Sequence, residues 1–331
     1  MIMNGKPRLG FVGVGWIGRN RMEAVVRSGL AEIVWIQDVN PQLCAAAREM
    51  VPSARIFDNG EEWTNRDIDG VFIATPSALH VRQSVQALDA GIAVFCQKPL
   101  GRNALETAEV VKAARKNDKL RGVDFSYRHT RTIQAVKQVL DSGELGEIYA
   151  MDLVFHNGYG PDKPWYYDPE LSGGGCLVDL GIHLVDLVLW LFDSPELNVV
   201  QSHVFSRGKL LAPGTKAVED YVTAQLLFSN AISVRLACSW NLPAGRDAVI
   251  KAVFYGQNGG VSFSNIDGSF YDFVAHRFHG TSTQMISNGP DDWGGRTAVD
   301  WVEKLSLNSD FDDESFHYVE VARVLDAIYG R

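Results

Sequence analysis

Cysteine is scarce: Cys44, Cys96, Cys176 and Cys238 are the four in 331 residues. None stands in a CxxC pair or in Cys/His zinc spacing, so no metal site is predicted and reduced core thiols are expected. Positive charge is in deficit as well, with 31 Lys and Arg against 40 Asp and Glu and a net charge of −9. Such a chain offers no electrostatic footprint for nucleic acid. Its uninterrupted apolar runs fall short of the ~20 residues that a membrane span needs. The first residues pass straight into a strand pattern without the layout of a signal peptide, so a cytoplasmic protein with no membrane partner is expected. Internal repeats and low-complexity segments are absent. What remains is an ordinary globular composition, 46% hydrophobic and 21% charged, on a chain long enough for about two domains.

The first half alternates strand and helix. Arg8 to Val14 reads as a buried strand that runs into Gly13-Val14-Gly15-Trp16-Ile17-Gly18, and a helical stretch through Val26 follows. GxGxxG is informative in that setting. The glycines permit a tight turn and let a pyrophosphate approach the positive end of the helix. A second strand, Glu32 to Gln37, ends at Asp38, where a carboxylate can accept hydrogen bonds from ribose hydroxyls. The same carboxylate repels a 2′-phosphate, so NAD is favoured over NADP. Further strands are predicted at Gly70–Thr75, Ile92–Cys96 and Arg121–Phe125, separated by helices at Ser77–Ala90 and Ala104–Lys116. Short breaks between alternating elements predict a doubly wound parallel sheet.

Ligands of such sheets bind at the carboxyl ends of the strands. Thr75, Pro76 and His80 lie at one such end, Gln97 and Lys98 at the next, and Asp124 to Arg128 at a third. Lys98 follows a buried strand and precedes Pro99, which turns the chain outward, so its ammonium is a candidate for the ligand cleft. His80, one turn into its helix, suits a loop support better than chemistry. Arg128 fits a surface role or a cleft role equally.

After residue 124 the pattern changes to consecutive strands without intervening helices, which predicts an α+β domain with a large, mostly antiparallel sheet over 125–331. Within it, Gly173 to Asp186 reads GGGCLVDLGIHLVD. A regular helix would put Asp179 and His183 on one face. A carboxylate and an imidazole among so many apolar residues must be hydrogen-bonded or face a cleft. The glycines at 173–175 are expected to bring that helix close to cofactor and substrate. Trp165 and Tyr166 precede the segment in a polar loop and suit either sugar contact or packing. His156, at a strand end, is a weaker substrate candidate, and Asp186 is expected to be structural.

The order GVGWIG, Asp38, TPSALH, QKPL, SYR and GGGCLVDLGIHLVD resembles the glucose-fructose oxidoreductase / inositol dehydrogenase (Gfo/Idh/MocA) family over nearly the whole chain. The resemblance implies an N-terminal Rossmann domain (1–124) and a substrate-binding and oligomerisation domain (125–331); the last helix, Glu314 to Ile328, is amphipathic and is expected to pack back on the first domain. It implies NAD(P)-dependent hydride transfer to or from a secondary alcohol of a sugar, cyclitol or related polyol. Lys98, Asp179 and His183 would be the catalytic group, and the C-terminal sheet would form a homodimer or homotetramer. One departure is visible: the usual Glu-Lys-Pro is here Gln97-Lys98-Pro99, without the negative charge beside the lysine. Either Lys98 or His183 suits the proton acceptor. An NAD-retaining glycosidase and a non-catalytic dinucleotide sensor are the alternatives on the same scaffold.

Overall fold

The computed structural model describes residues 5–57, 67–212 and 214–331. The chain folds as two units. One comprises Met1–Ser126 with Gly294–Val319, the other Tyr127–Trp293 with Glu320–Arg331.

The first unit contains strands β1 (Arg8–Val12), β2 (Glu32–Gln37), β3 (Arg55–Phe57), β4 (Gly70–Ile73), β5 (Ala93–Cys96) and β6 (Arg121–Val123). Its helices are α1 (Trp16–Ser28), α2 (Pro41–Met50), α3 (Ser77–Asp89) and α4 (Ala104–Lys116). All strand pairs are parallel, in the order β3-β2-β1-β4-β5-β6. This order reverses between β1 and β4, the switch point at which a dinucleotide-binding sheet opens its crevice. Strands β1, β4 and β5 are buried on both faces, which is why they read as continuous apolar runs rather than as alternation.

A simple cut after residue 124 misplaces one piece of chain. Helix α8 (Arg296–Leu307) belongs to this unit and packs Trp301, Val302 and Leu305 into the same core as Phe11, Phe72 and Phe95. Trp301 meets Phe72 edge-on, with ring centres 5.2 Å apart. The physical reason is the apolar side of the sheet, which needs a cover that α1 to α4 do not complete. The last helix, α9 (Ser315–Tyr329), begins in this unit. There Arg121 lies over the Tyr318 ring at 4.1 Å and donates to the Ser315 carbonyl at 3.1 Å.

The second unit starts with a 3₁₀ turn at its boundary and helix α5 (Arg131–Asp141), then β7 (Ile148–Asn157), the short α6 (Pro169–Ser172) and α7 (Ile182–Leu191). Strands β8 (Leu197–Ser206), β9 (Lys209–Leu210), β10 (Tyr221–Phe228), β11 (Ser233–Ser239), β12 (Ala248–Gly256), β13 (Gly260–Asn265), β14 (Phe273–His279) and β15 (Ser282–Asn288) follow. They form one sheet in the order β15-β14-β13-β12-β7-β11-β10-β8-β9. Every pair is antiparallel except β7–β11. Alternate residues of β10, such as Val222, Ala224 and Leu226, are buried, and the residues between them face outward. The buried face of β7 and β11 carries the segment that ends in α7.

By length and composition Pro169–Leu191 would pass as a membrane span, yet 89% of its most apolar window is buried inside the protein. That burial marks it as a core helix. Its start also differs from the regular helix expected. Leu177–Gly181 winds as a π-helix before α7 takes over. Such wider turns gather at functional sites, and this one lies between Gly175 and His183.

Candidate active site

The glycine turn of the first unit follows β1. Gly13 has φ +84°, and a Cβ there would meet the Ala74 backbone at 2.6 Å. A Cβ on Gly18 would meet the Gly13 carbonyl oxygen at 2.1 Å. These two glycines therefore serve the tightness of the turn. At Gly15 a Cβ would meet nothing within 4 Å, so the turn presents open space at the N-cap of α1. The cap makes no side-chain hydrogen bond, and no acidic residue stands in the first turn. Backbone N–H groups at such a helix start suit a pyrophosphate. Trp16 is exposed beside them and Ile17 half-buried. Asp38, just past β2, accepts from the Val14 N–H at 2.8 Å and the Asn40 N–H at 2.9 Å, which fixes its carboxylate at the rim of this turn. The residues present fit a dinucleotide.

At the ends of β4 and β5, the Thr75 hydroxyl donates to Gln83 at 2.6 Å, Pro76 caps α3, and Lys98 is half-buried in a cis peptide link to Pro99. His80, grouped above with the strand-end ligand candidates, turns inward. Its ring is buried, with Nδ1 at 2.7 Å from the Pro99 carbonyl and Nε2 at 2.7 Å from the Thr75 carbonyl. Both nitrogens face carbonyl oxygens of the protein itself, and the neutral ring donates to one of them while packing against the other, so His80 sits between the two strand-end loops as a support. Burial pushes its pKa below the usual imidazole value, outweighing the two carbonyl bonds, which act in the opposite direction, while the charge of Lys98 lowers it further.

The unfolded histidine titrates near pH ~6.5 and the folded one lower, so its contribution is whole above that pH and is lost as pH falls through the folded value. His80→Gln is expected to flatten the decline in melting temperature between pH ~7 and ~5. Equal pH slopes for wild type and variant would rule the assignment out.

Gln97 donates its amide to Asp124 Oδ2, which also accepts from Arg21 Nε at 2.6 Å. The pair is buried, so the glutamine answers to its own neighbour and is not a vacant substitute for a glutamate.

In the second unit Asp179, Trp165 and Tyr166 gather around a residue that sequence reasoning did not single out, Trp240. The Trp240 indole N–H donates to Asp179 Oδ2 at 3.0 Å. Tyr166 and Tyr167 meet the Trp240 ring edge-on, at 6.2 and 5.7 Å, and Trp165 stacks on Tyr166 at 3.8 Å. Burial raises the Tyr166 pKa, helped by the negative charge of Asp179, so the phenol stays protonated and remains a donor. His183 is buried, with the Tyr127 ring edge at 4.9 Å and Phe155 at 6.4 Å.

His156 is turned to Ser239, 2.7 Å from its hydroxyl, and stacks on Tyr221. Burial lowers its pKa. Arg128 is placed otherwise than a substrate ligand would be. It is buried, its Nε donates to Asp186 Oδ2 at 2.8 Å, and a second guanidinium nitrogen reaches the other carboxylate oxygen. The fork geometry of guanidinium on carboxylate commits it to Asp186.

A doubly wound parallel sheet with an open glycine turn and a carboxylate fixed at its rim is the architecture of a dinucleotide-binding domain. Residues 7–125 match the oxidoreductase family with an NAD-binding Rossmann fold, and residues 133–262 match the GFO/IDH/MocA C-terminal domain. The chain belongs to the Gfo/Idh/MocA family of oxidoreductases. It is 27% identical over 242 residues to D-glucoside 3-dehydrogenase of Escherichia coli (strain K12), covering 70% of this chain and 69% of that one. It is 26% identical over 263 residues to inositol 2-dehydrogenase of Acidothermus cellulolyticus, covering 78% and 73%. A solved structure of levoglucosan dehydrogenase in complex with NADH and levoglucosan superposes with a TM-score of 0.83, 20% identity and coverage of 98% and 96%, which speaks to the fold.

Proposed function

We propose that the protein transfers a hydride between NAD and a secondary alcohol of a sugar, cyclitol or related polyol. The observation that carries this reading is the constellation in the second unit: a carboxylate fixed by Trp240, an imidazole four residues along the same winding, and the stacked Trp165–Tyr166 surface beside Trp240. Fixed polar groups next to an aromatic face suit a ring with an apolar C–H side and equatorial hydroxyls. The relatives named for work on a glucoside and on inositol point the same way.

The nicotinamide, when bound, supplies the hydride acceptor or donor. His183 takes the hydroxyl proton, since an imidazole titrates in the range such a step needs. Lys98 hydrogen-bonds the reacting oxygen and stabilises the alkoxide charge that develops on it. Asp179, held by Trp240, orients a substrate hydroxyl. Gly13, Gly15, Gly18 and Asp38 seat the dinucleotide in the first unit, with Trp16, Ile17, Thr75, Pro76 and Gln97 around it. The second unit carries substrate recognition. Its outward sheet face, where Arg235 pairs with Asp152 at 2.6 Å and Leu227 is exposed, serves a homo-oligomer. The four free, buried cysteines support a reducing, cytoplasmic setting.

The test is reduction of NAD and of NADP over inositols, aldoses, anhydro-sugars and amino sugars. Turnover with at least one of them, faster with NAD than with NADP, is the expected result. A panel silent with both cofactors, or hydrolysis of an aryl glycoside without net NADH, would overturn the reading.

A further inference from the structure

The segment that holds Asp179 and His183 is capped by a residue far away in sequence, from the loop that leads into β10. A helix start leaves several N–H groups without partners inside the helix. Here three in succession donate to a single residue, Glu219: Gly175 N–H to Oε2 at 2.8 Å, Cys176 N–H to the main-chain carbonyl at 3.1 Å, and Leu177 N–H to Oε1 at 3.0 Å. The Tyr329 hydroxyl, from the last turn of α9, also donates to Oε1, at 2.7 Å. Glu219 is 2% exposed.

The glycines explain themselves by this contact. A Cβ on Gly175 would sit 1.9 Å from the Glu219 carbonyl oxygen, and one on Gly174 would sit 2.1 Å from the Tyr329 hydroxyl. They admit Glu219 and Tyr329 to the backbone, a different task from the approach to cofactor and substrate expected from the sequence.

Burying a carboxylate is a costly means of stability alone. Burial indeed raises the Glu219 pKa against the pull of its donors. What the carboxylate provides that a packed apolar residue cannot is a two-oxygen register for the start of the π turn. We propose that Glu219, with Tyr329, is a positioning pair that fixes the winding of 175–181 and so the placement of Asp179 and His183 for hydride transfer. The proposal rests on the reading of that site given above.

Its test compares Glu219→Gln and Tyr329→Phe with His183→Ala in the NAD-loaded enzyme, using the fastest polyol of the panel. A misplacement of about 1 Å costs on the order of 10²-fold. Glu219→Gln is therefore expected to lose about 10²-fold in kcat and Tyr329→Phe a smaller factor. NADH affinity, read by fluorescence, stays within about twofold of wild type in both. Amide hydrogen exchange over 177–183 is expected to speed up in both variants, while exchange over β1 and β4 stays unchanged. If exchange over 177–183 is unchanged, or if both variants keep wild-type kcat while His183→Ala is inactive, the positioning role is wrong and the site stands. If His183→Ala itself turns over normally, the site reading fails and the positioning role falls with it. Loss of NADH affinity in step with kcat would show general unfolding, and that also overturns the proposal.

Discussion

His183→Ala and Lys98→Ala should each lower turnover by at least ~10²-fold, the scale on which positioned proton-transfer groups act. The two losses should differ in kind. If the imidazole is the proton acceptor, kcat of the wild type rises through the titration of that group, and His183→Ala loses this limb of the pH profile. Lys98→Ala should keep the limb and lower its plateau, because an ammonium that stabilises alkoxide charge acts in the transition state. Steady-state kinetics across the neutral range separates the cases. Retention of the limb in His183→Ala together with its loss in Lys98→Ala would exchange the two roles. Near-normal turnover in both variants would remove the assignment altogether.

The second large effect is on stability. Arg128→Ala leaves the Asp186 carboxylate buried on α7 without its main counter-charge, and removal of one partner of a buried pair costs about 3–5 kcal/mol. The destabilisation should appear in denaturant unfolding. Replacing both partners, Arg128→Met with Asp186→Leu, should restore most of it, because two apolar side chains of similar volume carry no desolvation cost. A substrate-binding arginine would behave in the opposite way, with a raised KM and an unchanged unfolding midpoint. That outcome would return Arg128 to the binding site.

These cases show where the sequence was readable. The parallel sheet was legible because β1, β4 and β5 are continuous apolar runs, each followed by a helix, and because GVGWIG stands at the first strand–helix junction. The antiparallel sheet was legible in outline from runs such as Tyr221–Phe228, whose alternation matches its burial. Strand β15 was not: STQMISN lies on a sheet edge, is largely exposed, and has no apolar face to announce it. Helix α8 hid behind a Gly- and Asp-rich stretch, and its return to the first unit depends on a core with Phe11, Phe72 and Phe95, far earlier in the chain, which no local pattern encodes.

The site divides in the same way. Asp179 and His183 stood out as polar residues in an apolar segment. Their supports did not, because Trp240 lies 61 positions from Asp179, Glu219 44 from Gly175, and Asp186 58 from Arg128. A tryptophan or a glutamate at a strand end looks the same whether it faces solvent or a partner. The π winding left no trace either, since a wider turn among residues that are apolar on every side changes no periodicity.

The contact between Gln97 and Asp124 bears on how such a chain changes over evolutionary time. Resemblance to the family sets a glutamate at position 97, and here that side chain would bring a second carboxylate against Asp124 in a buried place, with Arg21, 2.6 Å from Asp124 Oδ2, as one positive charge for two negative ones. A glutamate at 97 therefore adds negative charge to a buried carboxylate that a neutral amide leaves undisturbed, and a neutral residue at 124 would offset it, so the two positions are coupled through one shared charge balance.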